Sequence, residues 1–479
     1  MKTLGILILA ALGLLALLLL IALARTLLTG AKRSDWAPER DPEREALCAE
    51  KLSKMVQVET VSRLGEEQRE TFLRFHRRLE ELFPLVHEKL EKTEIDGNLL
   101  FFWKGQCAEK PVVLMSHQDV VPAEGEWKHP PFSGDIAEGK VWGRGSADTK
   151  CSVMAFFQAV EELLAEGYVP QQDVYLSASC TEEVGGDGCP KLVAELKRRG
   201  VRPWLVCDEG GAIVQEPVGG VKGYYAMLGV LEKGAGNLRV SARSNGGHSS
   251  YPPKNSPIAR LARFVCDIEK HEPMTVAFEP ETRAMFETLA PYGPFYFRYL
   301  FGNLWLFRPL LQKLMPGISN QAAALLKTTV ALTMQSGSDA YNVLPQEASL
   351  TLNLRYIPHQ GKEESNAVIR AIAQKYDLEV TEINGYDALP PVSIESEAYH
   401  LAERAVRETF PGLPVCPYVM TGGTDARFYQ EICDACIRFS PVIYGPEQMK
   451  GMHGLNENID TCSLPGAVDF YKTLIRLNG

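Results

Sequence analysis

The sequence predicts an α/β protein: a mainly parallel sheet, interrupted by an α+β insertion and preceded by one apolar helix. Three observations carry this. Every residue from Leu4 to Ala24 is apolar or glycine. Short apolar runs alternate with amphipathic helical stretches from Asn98 to Cys207, the pattern of a parallel sheet covered on both faces. After Gly219 the runs take on antiparallel character, and the first pattern resumes from about Pro391. The implied division is an anchor at 1–30, a main domain in two parts at 35–220 and 391–479, and an insertion at 221–390.

Composition narrows the class. The chain has 479 residues, with 50 basic against 60 acidic side chains and a net charge of -10. Hydrophobic residues at 45% exclude a disordered chain, and the acidic excess counts against a nucleic-acid partner. The 11 cysteines are an odd number, thinly spread, with no second CxxC to complete a zinc knuckle.

The apolar run from Leu4 to Ala24 is 21 residues, which as a helix reaches about 30 Å, the thickness of a bilayer core. It reads as a retained single-pass anchor. A cleaved secretory signal is the rival reading, but its apolar region is usually shorter and no clean small-x-small site follows Ala24. Lys2 precedes the run, while Arg25, Lys32 and Arg33 follow it, a slight bias toward a cytoplasmic body. The free-thiol count leans the same way.

Helical periodicity next marks Glu43 to Lys92 in two stretches. Glu66 to Phe83 carries Phe72, Phe75, Leu79 and Leu82 at spacings of three and four, and Pro84 closes it. Strands are expected at Asn98–Trp103, Pro111–Ser116, Asp173–Ser179 and from Pro203 to Cys207, with a helix from Ser152 to Glu166 between them. In the insertion, Tyr224–Glu232 and Gly236–Arg243 read as antiparallel strands. A helix at Asn255–Lys270, strands at Leu325–Met334 and Ala348–Tyr356, and a helix at Glu363–Tyr376 follow.

Candidate chemistry collects at strand ends. His117 and Asp119, two apart in an extended segment, project to one side, so a carboxylate can orient an imidazole on a metal. Asp148 follows WGRGSA, Glu182 and Glu183 follow DVYLSASCT, and Asp208 ends WLVC beside Glu209. His453 sits between glycines in GMHG. The C-terminal edge of parallel strands is where such folds bind ligands. One bridging carboxylate and two terminal ligands per ion is the stoichiometry of a two-metal site. Mixed imidazole and carboxylate donors suit zinc, with cobalt or manganese as substitutes. The remaining acid is placed to move a proton. Cys180 and Cys207 read as small buried hydrophobes.

SHQDVVP, GRGSADTK, TEEVGG, DEGG and GMHG, in this order, resemble the aminoacylase and carboxypeptidase S family of dinuclear zinc peptidases, which includes acetylornithine deacetylase and succinyl-diaminopimelate desuccinylase. The nearer likeness is to the membrane-associated branch of carboxypeptidase S and the N-fatty-acyl-amino-acid hydrolases. The resemblance covers residues 45 to 479. It implies a zinc-peptidase catalytic domain with an inserted lid or dimerisation domain. It implies two zinc ions bridged by Asp148, with Glu183 and His453 on one, and His117 and Asp208 on the other. Asp119 would orient His117, and Glu182 would be the general base and acid. His248 in NGGHSS matches a lid histidine that polarises the scissile carbonyl and in dimeric relatives comes from the second subunit. Asn342, Arg355 and the loop Gly422–Gly423–Thr424–Asp425–Ala426–Arg427 match the region that holds the substrate carboxylate. Many relatives carry a second acid after the bridging aspartate, often across a cis peptide; here the residue is Thr149.

The function implied is hydrolysis of an amide bond in a small peptide or N-acyl amino acid with a free carboxylate; carboxypeptidase or dipeptidase and deacylase activity fit equally. The alternative is a non-catalytic, membrane-tethered binding protein on the same fold, against which the intact acid and histidine set argues. Between Tyr292 and Phe307, eight of sixteen residues are aromatic. Core packing, an acyl-chain groove and a bilayer contact are the three readings of that segment.

Overall fold

A computed structural model describes residues 2–65 and 68–479. Glu66 and Glu67, the expected start of the second helical stretch, lie outside the described residues; the helix itself runs Arg69–Leu82 and buries Phe72, Phe75, Leu79 and Leu82 as their spacing requires.

The large sheet has ten strands. Its centre is parallel: Gln172–Ser179, Cys107–His117, Leu205–Asp208 and Cys436–Arg438 lie side by side. Its flanks are not, so the expected mainly parallel sheet is a mixed one. Glu91–Ile95 and Asn98–Trp103 form a hairpin that pairs antiparallel to Gln172–Ser179. Asp96 and Gly97 turn that hairpin with φ of 49° and 89°, the left-handed conformations a two-residue turn demands. Ala212–Gln215 pairs antiparallel to Tyr224–Glu232 on the other flank. Parallel pairs recur on that flank, where Val415–Met420 lies along Tyr224–Glu232 and Ile443–Tyr444 along Ala212–Gln215.

Helix Lys150–Ala165 is buried nearly all round and packs on Pro42–Val56 and Leu464–Leu477. It begins close to its expected start at Ser152. Cys180 and Cys207 are buried, as expected.

Insertion strands form a separate four-stranded antiparallel sheet, ordered Thr329–Ser336, Glu347–Tyr356, Gly234–Arg243 and Glu379–Tyr386. Helices Pro257–His271 and Lys362–Gln374 cover one face through Leu261, Phe264, Ile369 and Ile372 against Leu238, Val240 and Leu352. Tyr224–Glu232 does not pair with Gly234–Arg243. It lies in the large sheet between Cys436–Arg438 and Ala212–Gln215, and Val415–Met420 pairs with it as well. Lys233 thus carries the chain from one sheet to the other.

The aromatic segment splits into helices Phe295–Phe301 and Leu304–Ile318. Phe297, Phe301 and Phe307 are buried against Ala22, Tyr225, Met227, Phe286 and Cys416. Phe295, Tyr296 and Trp305 are exposed. The segment is therefore partly core. The N-terminal helix, Lys2–Thr29, is long and apolar enough to cross a membrane.

His76 ties helix Arg69–Leu82 to the site. Its Nε2 lies 3.0 Å from Gln118 Oε1, and Gln118 Nε2 donates to Gly97 O and Ala178 O, fixing the residue between His117 and Asp119. Burial pushes His76 down to about 4. A depressed histidine contributes stability fully above its unfolded value, about 6.5, and that stability is lost as pH falls toward the folded value. Between pH 7 and pH 4 the loss through this group is about 3 kcal/mol. Denaturant titrations of wild type and His76→Gln should therefore converge as pH drops; parallel curves would refute the assignment.

Candidate metal centre

Parallel pairing brings the strand ends together: His117 lies beside Ser179, and Arg438 beside Asp208. His117 is almost fully buried. Its Nδ1 lies 2.9 Å from the Asp119 carbonyl and 3.4 Å from Asp119 Oδ1. The Asp119 carboxylate also accepts from Ser62 Oγ at 2.7 Å and from the backbone N–H groups of Glu182 and Glu183 at 3.2 and 3.1 Å. One fully buried carboxylate thus orients the imidazole and sets the turn bearing both glutamates.

His117 Nε2 is 3.2 Å from Asp148 Oδ1. The other oxygen of Asp148 is 3.1 Å from His453 Nε2, which lies 3.0 Å from Glu183 Oε2. One donor atom each from His117, Asp148 and Glu183 falls within 4.8 Å of the others. Asp148 therefore sits between the two histidines. The Asp148–Thr149 peptide is cis.

Burial disfavours a charged His117, but the hydrogen bonds to Asp119 and Asp148 outweigh it and hold the ring well above its ordinary value. Hydrogen bonds to Asp148 and Glu183 lift His453 to about 10. Burial, followed by nearby acids, keeps Glu182 well above the usual carboxylate range.

Asp208 is oriented differently from the other expected ligands. Its Oδ1 accepts from Glu209 N at 2.8 Å and its Oδ2 from Ala426 N at 2.8 Å. Burial and then Asp425 push it up to about 7. Glu209, its neighbour, is raised well above the usual carboxylate range by burial and then by Asp148.

Lid residues stand apart. His248 is exposed on the short hairpin Gly247–His248 with Val343–Leu344. Its Nδ1 lies 2.8 Å from Ser250 Oγ and its ring stacks on Tyr251. Asn342, also exposed, accepts from Ser249 N through its carbonyl. Neither hydrogen-bonds to the centre among the described residues. Arg355 lies on Glu347–Tyr356, opposite Ala235. It sits near Lys233, which burial first, then Arg355, depress to about 7. The loop after Val415–Met420 is nearer the acids. A side chain at Gly423 would come within 2.9 Å of Tyr386 Oη, while Gly422 borders open space. Thr424 Oγ1 donates to Glu232 at 3.1 Å. The Arg427 guanidinium lies over the rings of Tyr386 and Phe428 and donates to Thr424 O.

Residues 113–477 match the peptidase family M20/M25/M40. The chain belongs to that family. This M20 peptidase is 33% identical over 441 residues to a probable carboxypeptidase S-like 2 of Dictyostelium discoideum, covering 89% of this chain and 84% of that protein. It is 34% identical over 444 residues to the N-fatty-acyl-amino acid synthase/hydrolase PM20D1 of Xenopus tropicalis, covering 91% and 86%. Carboxypeptidase S of Saccharomyces cerevisiae is 29% identical over 505 residues, covering 91% and 85%. The M20 metallo-carboxypeptidase Sso-CP2 of Sulfolobus solfataricus shares the fold at a TM-score of 0.66 and 17% identity, over 90% of this chain and 98% of that one. Human carnosine dipeptidase 1 does so at 0.61 and 16%, over 91% and 97%.

The donors of this metallopeptidase fit a zinc ion. Glu183 Oε1 is buried without a hydrogen-bond partner, an orphaned acceptor that a cation would satisfy. Two imidazoles and two carboxylates match zinc's preferences. Sequence reasoning missed the support beneath Asp148. Glu457 Oε1 accepts from the N–H groups of Gly145, Ala147 and Asp148 at 2.9–3.0 Å, and its Oε2 pairs with Arg144 at 2.6 Å, all buried. The acid lies four residues past His453, in a stretch with no pattern to mark it.

Proposed function

We propose that this zinc-dependent hydrolase of small peptides or N-acyl amino acids uses two zinc ions and requires a free carboxylate beside the scissile amide. The observation that carries the two-ion reading is the position of Asp148, one oxygen toward His117 and the other toward His453. Glu183 and His453 would hold one ion. His117 and an acid from the Asp208–Glu209 pair would hold the other. Backbone N–H groups engage one lone pair on each Asp208 oxygen, which leaves the other free for a cation, and Glu209 beside it is the alternative donor. Bound there, the ions supply Lewis acidity and a nucleophile at neutral pH, and cobalt or manganese would serve in the same donors.

The chain's own residues do the rest. Asp119 fixes the His117 tautomer by accepting at Nδ1. Glu182, kept by its buried setting ready to hold a proton, takes one from the attacking water and returns it to the leaving nitrogen. Arg355, with Arg427 as the second candidate, grips the substrate carboxylate, and Gly422, Gly423 and Thr424 leave room for it. Asn342 and His248 reach the substrate only when the lid built on the four-stranded sheet, which starts at Gly234 and not at 221, closes or when a second copy supplies them. The N-terminal helix tethers the body to a membrane as a single span.

A hydrolysis panel tests this on the full chain in detergent or nanodiscs. The substrates are dipeptides, N-acetyl and N-long-acyl amino acids, each as free acid and as C-terminal amide. We expect amidation to lower kcat/KM by about 2–4 kcal/mol, or 30–1000-fold, the cost of leaving an arginine's charged hydrogen bonds unmade. Equal rates on acid and amide would reject carboxylate anchoring.

A further inference from the structure

We propose that helices Phe295–Phe301 and Leu304–Ile318 form a membrane foot, seating the catalytic body in the lipid interface beside the N-terminal helix. The inference rests on the reading of that helix as a membrane span.

The contacts set the depth. Tyr299 Oη donates to Leu19 O at 3.1 Å, and Asn303 Nδ2 donates to Ala22 O and Thr26 Oγ1 at 3.2 and 3.0 Å. Leu19 and Ala22 lie inside the apolar run that ends at Ala24. At about 1.5 Å per residue, Leu19 is about 8 Å from the end of that run. A bilayer that takes up the run therefore reaches the helix pair to about 5–10 Å, the depth at which amphipathic interfacial helices lie.

The outer surface suits that depth. Phe295, Tyr296, Trp305, Leu310, Leu314 and Ile318 are between 44% and 72% exposed. Phe295 stacks on Tyr299, and the Arg25 guanidinium sits 5.9 Å from the Trp305 ring, so two exposed rings flank the emerging N-terminal helix. Tryptophan and tyrosine with neighbouring arginine are the side chains that favour the headgroup boundary. Charge points the same way. No Asp or Glu occurs between Glu287 and Asp339, in a chain that carries 60 of them. Arg308 and Lys313, both exposed, lie within that stretch, where anionic headgroups would meet them. A surface that faced water would have no need to exclude acids.

Tryptophan quenching in nanodiscs tests the foot. The full chain is placed in discs of phosphatidylcholine and phosphatidylglycerol, with lipids either plain or brominated high on the acyl chain. We expect brominated lipid to quench part of the wild-type emission, and Trp305→Phe to lose more than about half of that quenchable part. Tyr296→Trp should add to it, which guards against a folding defect in the first variant. Gly13→Trp, at an exposed site in the apolar run, reports on the span itself. Strong quenching of Gly13→Trp with none from Trp305 or Tyr296→Trp would overturn the foot while leaving the span. Absence of quenching from Gly13→Trp would overturn both. Trp305 shielded by a second copy of the chain would give no quenching and would likewise overturn the proposal.

Discussion

Glu182→Gln should lower turnover of an N-acyl amino acid by about 10²–10⁴-fold, the usual contribution of a positioned acid–base group. Glutamine keeps the shape and removes the proton acceptor. The backbone N–H of Glu182 donates to Asp119, and that bond does not depend on the side chain, so the turn that presents Glu183 survives. Metal content of the variant should match wild type. The loss should fall mainly on kcat, because the group acts on the proton in flight and not on the bound substrate. A variant within a few-fold of wild type, with its metal retained, would remove Glu182 from the role.

Asp148→Asn should cost metal at both positions. Among the described residues the aspartate is the one carboxylate paired with both His117 and His453, so weakening it weakens two ligand sets together. Losing an outer hydrogen-bond partner of a ligand already costs about 10–100-fold in metal affinity, and a shared direct donor should cost at least about 100-fold. Asp208→Asn separates the sites: it should release one ion and leave the other, while Glu209→Gln should leave metal content nearer wild type. Elemental analysis after equilibration with zinc reads all three. Full occupancy in Asp148→Asn would contradict a bridging role.

The strand-end chemistry was legible where an acid or histidine follows an apolar run, because a parallel sheet places such ends on one edge, as for His117 and Glu183. Asp148, after a glycine turn, and His453, between glycines, were legible through the resemblance. Asp208 was named because it ends the strand Leu205–Asp208, on the same edge as His117. Glu457 and Arg144 were invisible because a buried ion pair that supports a loop uses common residue types at no fixed spacing. The antiparallel flanks of the sheet escaped because a short apolar run looks the same whichever way its neighbour runs. Asp96-Gly97 was the available hairpin signal. Strand Glu379–Tyr386 was missed because its sequence, EVTEINGY, is too polar to read as buried, and it lies at a sheet edge with one exposed face. The aromatic segment showed its rings but not their directions; burial of Phe297, Phe301 and Phe307 beside exposed Phe295, Tyr296 and Trp305 follows from packing on Ala22 and Tyr225.

The account stands most directly on the number of ions that activity requires. The metal-free full chain would be titrated with zinc while hydrolysis of one N-acyl amino acid is followed. Two-ion chemistry predicts that turnover rises to a plateau at two equivalents per chain, in step with bound zinc. A plateau at one equivalent, or hydrolysis that persists with no metal bound, would contradict it.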